Sequence, residues 1–188
     1  VGQLTGRGAA VFVSGLWGAG KTTCLRRLEH EVGRAIPVWS IKNHEVHQQR
    51  ARVRKTGIGV ADLRVYYDYV AESFRGVIEG EVSKGGMKIF EVSPPLLWSL
   101  MDLTGRAFYL DTPRHKCAER LAKRESWTLK FATRLVEAQW QLTRERGRAF
   151  WGRVEAVDDA QLHRALRQIV QCERADFRWP GIGEGRAR

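Results

Sequence analysis

Eight consecutive residues, Gly15-Leu16-Trp17-Gly18-Ala19-Gly20-Lys21-Thr22, fit the spacing G-x-x-x-x-G-K-S/T throughout. Glycines at these positions let several backbone N–H groups converge on one polyphosphate. A lysine after the last glycine reaches the outer phosphates of a nucleoside triphosphate, and the hydroxyl that follows can ligate Mg²⁺. Gly15, Gly18, Ala19, Gly20, Lys21, Thr22 and Thr23 are therefore the expected nucleotide-binding residues, with ATP and Mg²⁺ as cofactors. This chemistry needs a strand ending just before the loop and a helix starting within it, so that the helix's positive end lies beneath the anion.

Both elements are legible. Ala9–Ser14 (AAVFVS) is a short apolar run that reads as a buried strand, and Cys24, Leu25, Leu28 and Val32 recur at helical spacing after the loop. Further strands are expected at 37–41, 87–92, 107–111 and, weakly, 153–157. Leu63, Tyr66, Tyr67, Val70, Phe74, Val77, Ile78 and Val82 predict a long amphipathic helix over Val60 to Ser83, ended by Gly85-Gly86. Helices are also expected over 96–103, after Pro113 as a first-turn residue, over 131–146 and over 158–173. The segment 42–59 reads as loop or irregular helix. Strands alternating with helices imply an α/β fold with a mainly parallel, five-stranded sheet. No repeat or linker divides the chain, so a single domain over 1–178 is expected, followed by a flexible tail at 179–188.

With these elements in place, the chain resembles the P-loop kinases of the nucleoside monophosphate kinase and deoxynucleoside kinase group, from Ala9 to about Gln171. Beyond the glycine loop, the resemblance rests on Ala107-Phe108-Tyr109-Leu110-Asp111-Thr112-Pro113 followed by Arg120 and Arg124. That stretch is similar to the family's fourth strand, proline-started helix and arginine-bearing lid. The resemblance implies a three-layer P-loop NTPase fold with a short lid at about 120–134. It also implies that Arg120 and Arg124 lie over the phosphates and base of ATP, where they stabilise charge on the transferring group.

Two acids are candidates for the remaining roles. Glu91 ends the expected third strand, where a carboxylate can hold Mg²⁺ through water or accept a proton. Thr22 and Glu91 are thus the expected metal-organising pair. In Phe90-Glu91-Val92-Ser93-Pro94 no arginine stands beside the acid, which argues against a thymidylate-type monophosphate site. Glu45 follows the second strand, and the resemblance to hydroxyl-phosphorylating relatives implies a general base there. Either Glu45 or Glu91 can fill that role. His44 and His47 have no partners at metal-ligand spacing. Arg50, Arg52 and Arg54 suit phosphate oxygens, while Trp39, Tyr66, Tyr67 and Tyr69 either stack on a base or belong to the core.

The global charge bears on the acceptor. Thirty-two Lys and Arg against 21 Asp and Glu give a net +11 and a pI near 10.1. Residues 42–64 carry six basic and two acidic side chains, and 106–148 carry eleven and five. Such faces either meet the phosphates of a small nucleotide or form a groove for polymeric nucleic acid. The expected activity is ATP-dependent phosphorylation of a hydroxyl on nucleic acid, in particular a hydroxymethyl-pyrimidine base in DNA. Small phage kinases that act on hydroxymethyluracil in DNA are similar in size and design. The alternative acceptors are a free nucleoside or nucleoside monophosphate, and third an antibiotic or another small metabolite, which would not need a charge of +11. A nucleotide-dependent switch is a further class, although no guanine-reading Asn-Lys-x-Asp occurs. Cys24, Cys117 and Cys172 form an odd, scattered set, and no signal sequence or apolar run of membrane length is visible. A cytoplasmic protein that avoids membranes is expected.

Overall fold

Apolar runs with no polar alternation form strands that must be covered on both faces, which suits a parallel sheet. The computed structural model describes residues 9–32, 38–40, 60–103, 105–145 and 147–173. Its strands are β1 (Ala9–Ser14), β2 (Val38–Ser40), β3 (Met87–Glu91), β4 (Arg106–Leu110) and β5 (Glu155–Val157). They lie side by side in the order β2-β3-β1-β4-β5, and every pairing is parallel. β1, β3 and β4 form the centre, with Val13 opposite Glu91 on one side and Phe108 on the other.

The helices are α1 (Lys21–Val32), α2 (Val60–Ser83), α3 (Pro94–Ser99), α4 (Arg114–Glu125), α5 (Leu129–Glu145), α6 (Gly147–Trp151) and α7 (Asp159–Glu173). The path from β1 to β2 runs one way along the sheet and the return to β3 runs the other. Right-handed crossovers therefore put α1 and α2 on opposite faces. α7 packs on α1, while α2, α3 and α5 pack together. Phe74 of α2 meets Phe90 of β3 edge-on at 6.2 Å, and Phe90 stacks on Phe12 of β1 at 5.4 Å. Burying aromatic surface in this way is the main favourable term for the sheet–helix interface.

Some expected boundaries shift for local reasons. A single helix over 96–103 is replaced by α3 and a separate 3₁₀ turn at Met101–Leu103. Pro94 and Pro95 occupy the first turn, where no intrahelical N–H is needed, so the helix starts two residues early. Leu100, with φ −117° and ψ 9°, then breaks the α conformation. Pro113 stands at the N-cap of α4 rather than inside its first turn. The helix expected to start at Phe131 begins at Leu129 and ends at Glu145, and α6 follows from Gly147. Residues 179–188, expected to form a tail, lie outside the described residues. Among the described residues, no helix is long and apolar enough to cross a membrane.

Candidate active site

β1 leads toward β2 at one end of the sheet, whereas β4 leads the opposite way to β5. Adjacent parallel strands whose connections diverge open a crevice at their carboxyl ends, where ligands bind in open α/β sheets. The segments leaving β1 and β4 are Gly15–Thr22 and the stretch containing Thr112, and they touch there. The Thr112 hydroxyl donates to the Ala19 carbonyl at 2.9 Å, and Arg120 Nη1 donates to the same oxygen at 3.2 Å.

The loop is shaped by glycine. Gly15, Gly18 and Gly20 have φ of +149°, +84° and +106°, and Gly18 lies against the backbone of α4. Lys21, only 7% exposed, donates through Nζ to the carbonyls of Gly15 at 2.6 Å and Leu16 at 3.1 Å. Its charge is thus held at the root of the loop, beneath the space the amides surround. α1 begins at Lys21, so its positive end also faces that space.

Thr22, next in the chain, donates its hydroxyl to Glu91 Oε1 at 2.7 Å. Glu91 is 3% exposed and reaches this position because β3 pairs with β1 and ends at that residue. A hydroxyl and a carboxylate side by side are hard oxygen donors, which suit Mg²⁺. Among the described residues no group of three or more His, Cys, Asp or Glu could hold a metal. If the Thr22–Glu91 pair serves as the expected Mg²⁺ site, Glu91→Gln lowers turnover by about 10²-fold while leaving nucleotide affinity within a fewfold. Unchanged turnover at limiting Mg²⁺ would remove Glu91 from the site.

The cleft has a volume of about 500 Å³ and is lined by the loop, Glu91, Val92, Ser93, Thr112, Arg120 and Arg124, with Arg27 and Asp159 at its edge. Arg120 and Arg124, both exposed and one turn apart on α4, face it together. Arg124 also pairs with Glu125 at 2.9 Å. Arg27 and Asp159, paired at 2.9 Å, join α1 to α7 and went unseen in the sequence because 132 residues separate them.

The residues expected on the acceptor side lie partly within the described structure. Glu45, Arg50, Arg52 and Arg54 lie outside the described residues, as does the side chain of Trp39 on β2. Tyr67 is 3% exposed, with its ring 6.2 Å from that of Trp17, and its hydroxyl accepts a 2.7 Å hydrogen bond from Gln139 Nε2. Gln139 itself was missed. Its helical phase marks it only as inward-facing.

Behind the loop, burial pushes the Cys117 thiol up to about 11, with Lys21 and Arg120 opposing the shift, and burial likewise pushes Cys24 up to about 11. Both stay protonated in the fold at pH values where an unfolded thiol, at 9.0, ionises. Stability is therefore expected to fall as pH rises from about 9 toward about 11. At pH 8 neither thiol is expected to react with an alkylating reagent before unfolding. Peptide mapping that finds Cys117 alkylated in native protein would contradict this.

Comparison with protein-family models finds no match, and comparison with curated proteins finds none either. Solved structures do match. A gluconokinase from Sinorhizobium meliloti 1021 superposes with a TM-score of 0.50 at 18% identity, covering 89% of this chain and 91% of its own. Shikimate kinase from Acinetobacter baumannii, in complex with shikimate, gives 0.52 at 16% identity over 90% of this chain and 96% of its own. TT1252 from Thermus thermophilus gives 0.57 at 15% identity over 92% and 100%. The fold is that of the P-loop kinases. At these identities the likeness speaks for the fold alone, and it extends along nearly the whole chain.

Proposed function

We propose that the chain is an ATP-dependent phosphotransferase that moves the γ-phosphoryl group to an acceptor hydroxyl. The observation that carries this reading is the 2.7 Å contact of Thr22 with Glu91 in a cleft that also holds Lys21 and Arg120. On this reading the amides of Gly18, Ala19, Gly20, Lys21, Thr22 and Thr23 bind the phosphates, and Lys21 exchanges its carbonyl partners for phosphate oxygens. Thr22 and Glu91 would hold Mg²⁺, which would supply charge neutralisation on the phosphates. Arg120 and Arg124 close from a lid at 120–134, excluding water and stabilising charge on the transferring group. Glu45 orients the acceptor hydroxyl and takes its proton.

For the acceptor we propose a hydroxymethyl-pyrimidine base in DNA, supported by the net charge of +11 and by Arg50, Arg52 and Arg54 beside Glu45. On the described surface, Lys116, Arg120, Lys123 and Arg124 of α4 and Lys130 and Arg134 of α5 are all exposed, against two acids in the same stretch, Glu119 and Glu125, while Arg114 at the start of α4 is paired with Glu137. A polyanion would meet this face first, with binding that weakens steeply in salt. A small hydroxylated acceptor is the second reading, favoured by the fold likeness to gluconokinase and shikimate kinase.

The test is transfer of γ-labelled phosphate from ATP to a panel of acceptors. The panel holds duplex DNA with and without hydroxymethyluracil, hydroxyl-ended oligonucleotides, nucleosides, nucleoside monophosphates, gluconate and shikimate. Label entering DNA only with the modified base supports the DNA reading. Label on a free small molecule replaces it with the second. Slow hydrolysis without transfer to any hydroxyl would overturn the phosphotransferase reading in favour of a switch.

A further inference from the structure

The crest of the phosphate loop is tied to two helices by one side chain. Gln139, on α5, is 0% exposed. Its Oε1 accepts a 2.8 Å hydrogen bond from the Trp17 amide, and its Nε2 donates at 2.7 Å to the Tyr67 hydroxyl on α2. The Tyr67 ring lies 6.2 Å from the Trp17 ring, at 37° to it. Backbone, carboxamide, phenol and indole thus form a closed circuit: the amide that Gln139 holds belongs to the residue that Tyr67 buttresses. One turn on, the Thr143 hydroxyl donates to the Gln139 backbone carbonyl at 2.8 Å.

A core position does not need this arrangement. A leucine or methionine would fill the same volume of α5 without the desolvation cost of a buried carboxamide. What the amide gains is orientation of Trp17, which comes immediately before Gly18 and lines the same cleft as Lys21, Thr22 and Glu91. A Trp17 amide turned toward Gln139 is turned away from the phosphates, and it determines how the following amides present themselves. Phosphoryl transfer is sensitive to errors well below 1 Å in such a cradle.

We propose that Gln139 is a positioning residue for phosphoryl transfer, holding the crest of the phosphate loop in register with the α2 wall through the Trp17 amide and the Tyr67 hydroxyl. The proposal rests on the phosphotransferase reading for its catalytic consequence. Its effect on the loop can be read without that consequence.

The chemistry of the carboxamide supplies a selective test. A protonated glutamic acid offers the same pair, a carbonyl acceptor and one donor, so Gln139→Glu reproduces both hydrogen bonds while neutral. Once ionised it only accepts, from the Trp17 amide and from a Tyr67 hydroxyl turned to donate, and it places a negative charge beside the proposed polyphosphate loop. Burial raises the pKa of such a carboxyl, so the change falls within an accessible range. Loop geometry is read as affinity for a fluorescent ATP analogue, with melting recorded at each pH so that only folded protein is compared. Gln139→Glu is expected to bind the analogue within about threefold of the parent chain at pH 5.5 and about tenfold or more weaker at pH 8.5, with the parent's profile as baseline. Gln139→Leu is expected to be weaker by about tenfold at both pH values, with a larger fall in kcat than rise in KM wherever an acceptor is known. Tyr67→Phe, which removes one hydroxyl from the circuit, covers the case in which the leucine variant does not fold. It is expected to weaken analogue binding about threefold.

The proposal is overturned if Gln139→Glu follows the parent's pH profile, or if Gln139→Leu and Tyr67→Phe bind the analogue as the parent does. Loss of label transfer in the parent chain itself would remove the phosphotransferase reading. The affinity profiles would still decide the role of Gln139 in the loop.

Discussion

Lys21→Ala is expected to lower kcat/KM for phosphoryl transfer by about 10³-fold or more while the chain still melts cooperatively. Lys21 is the buried cation of the loop, its ammonium held on the Gly15 and Leu16 carbonyls, and in the proposed mechanism it turns from them to the outer phosphates. Removing one preorganised charge or donor from a developing anion typically costs about 10²–10³-fold, and here a full charge and its donors go together. The structural cost is small by comparison. Alanine leaves the Gly15 and Leu16 carbonyls without the lysine, a loss of about 1 kcal/mol or a few degrees in Tm for a chain of this size. Two measurements separate the effects: label transfer under saturating Mg²⁺, and a thermal melt without nucleotide. Transfer within tenfold of the parent would remove Lys21 from the mechanism, and with it the assignment of the cleft.

Gly18→Ala is expected to reverse this balance, damaging the fold first and nucleotide binding with it. A Cβ at residue 18 would lie 2.1 Å from the Cys117 carbonyl oxygen, and the residue has φ +84°. The obstacle is backbone, part of the second turn of α4, so it cannot swing aside as a side chain would. Left-handed strain of about 1–2 kcal/mol adds to the displacement of a packed helix, for a total of about 3 kcal/mol or more. That corresponds to a fall in Tm of roughly 6–12 °C. Gly147, at φ +60° with nothing within 4 Å of its would-be Cβ, offers the control. Alanine there meets the dihedral strain without the collision and is expected to cost only about 1 kcal/mol. Equal melting temperatures for the two variants would mean that the loop and α4 are not in contact in solution.

The two variants also mark how far the sequence could be read. The spacing of Gly15, Gly18, Gly20, Lys21 and Thr22 encodes a local backbone shape, and local shape is what a motif records. Glu91 was legible for a related reason: an acid closing an apolar strand lies at the sheet's carboxyl end, and parallel pairing of β3 with β1 brings that end to Thr22. The long α2 was read correctly from Val60 to Ser83 because eight apolar positions share one helical face. Gln139 and the Arg27–Asp159 pair left no such trace. Their partners lie 122 and 132 residues away, so their meaning arises only when α5 and α7 dock. Boundaries slipped where backbone rather than pattern decided them, as at Leu100 and Gly147.

The border formed by β5 bears on how the molecule behaves in a crowd. This strand is three residues long and pairs with β4 alone among the described strands, and its first side chain, Glu155, forms an exposed ion pair with Arg106 at 2.8 Å. A stranger chain seeking to extend the sheet there finds few backbone groups in line and a charge beside them. Repulsion between copies at a net +11 adds to that barrier. Concentrated protein at low salt is accordingly shielded along this border from growing into intermolecular sheets.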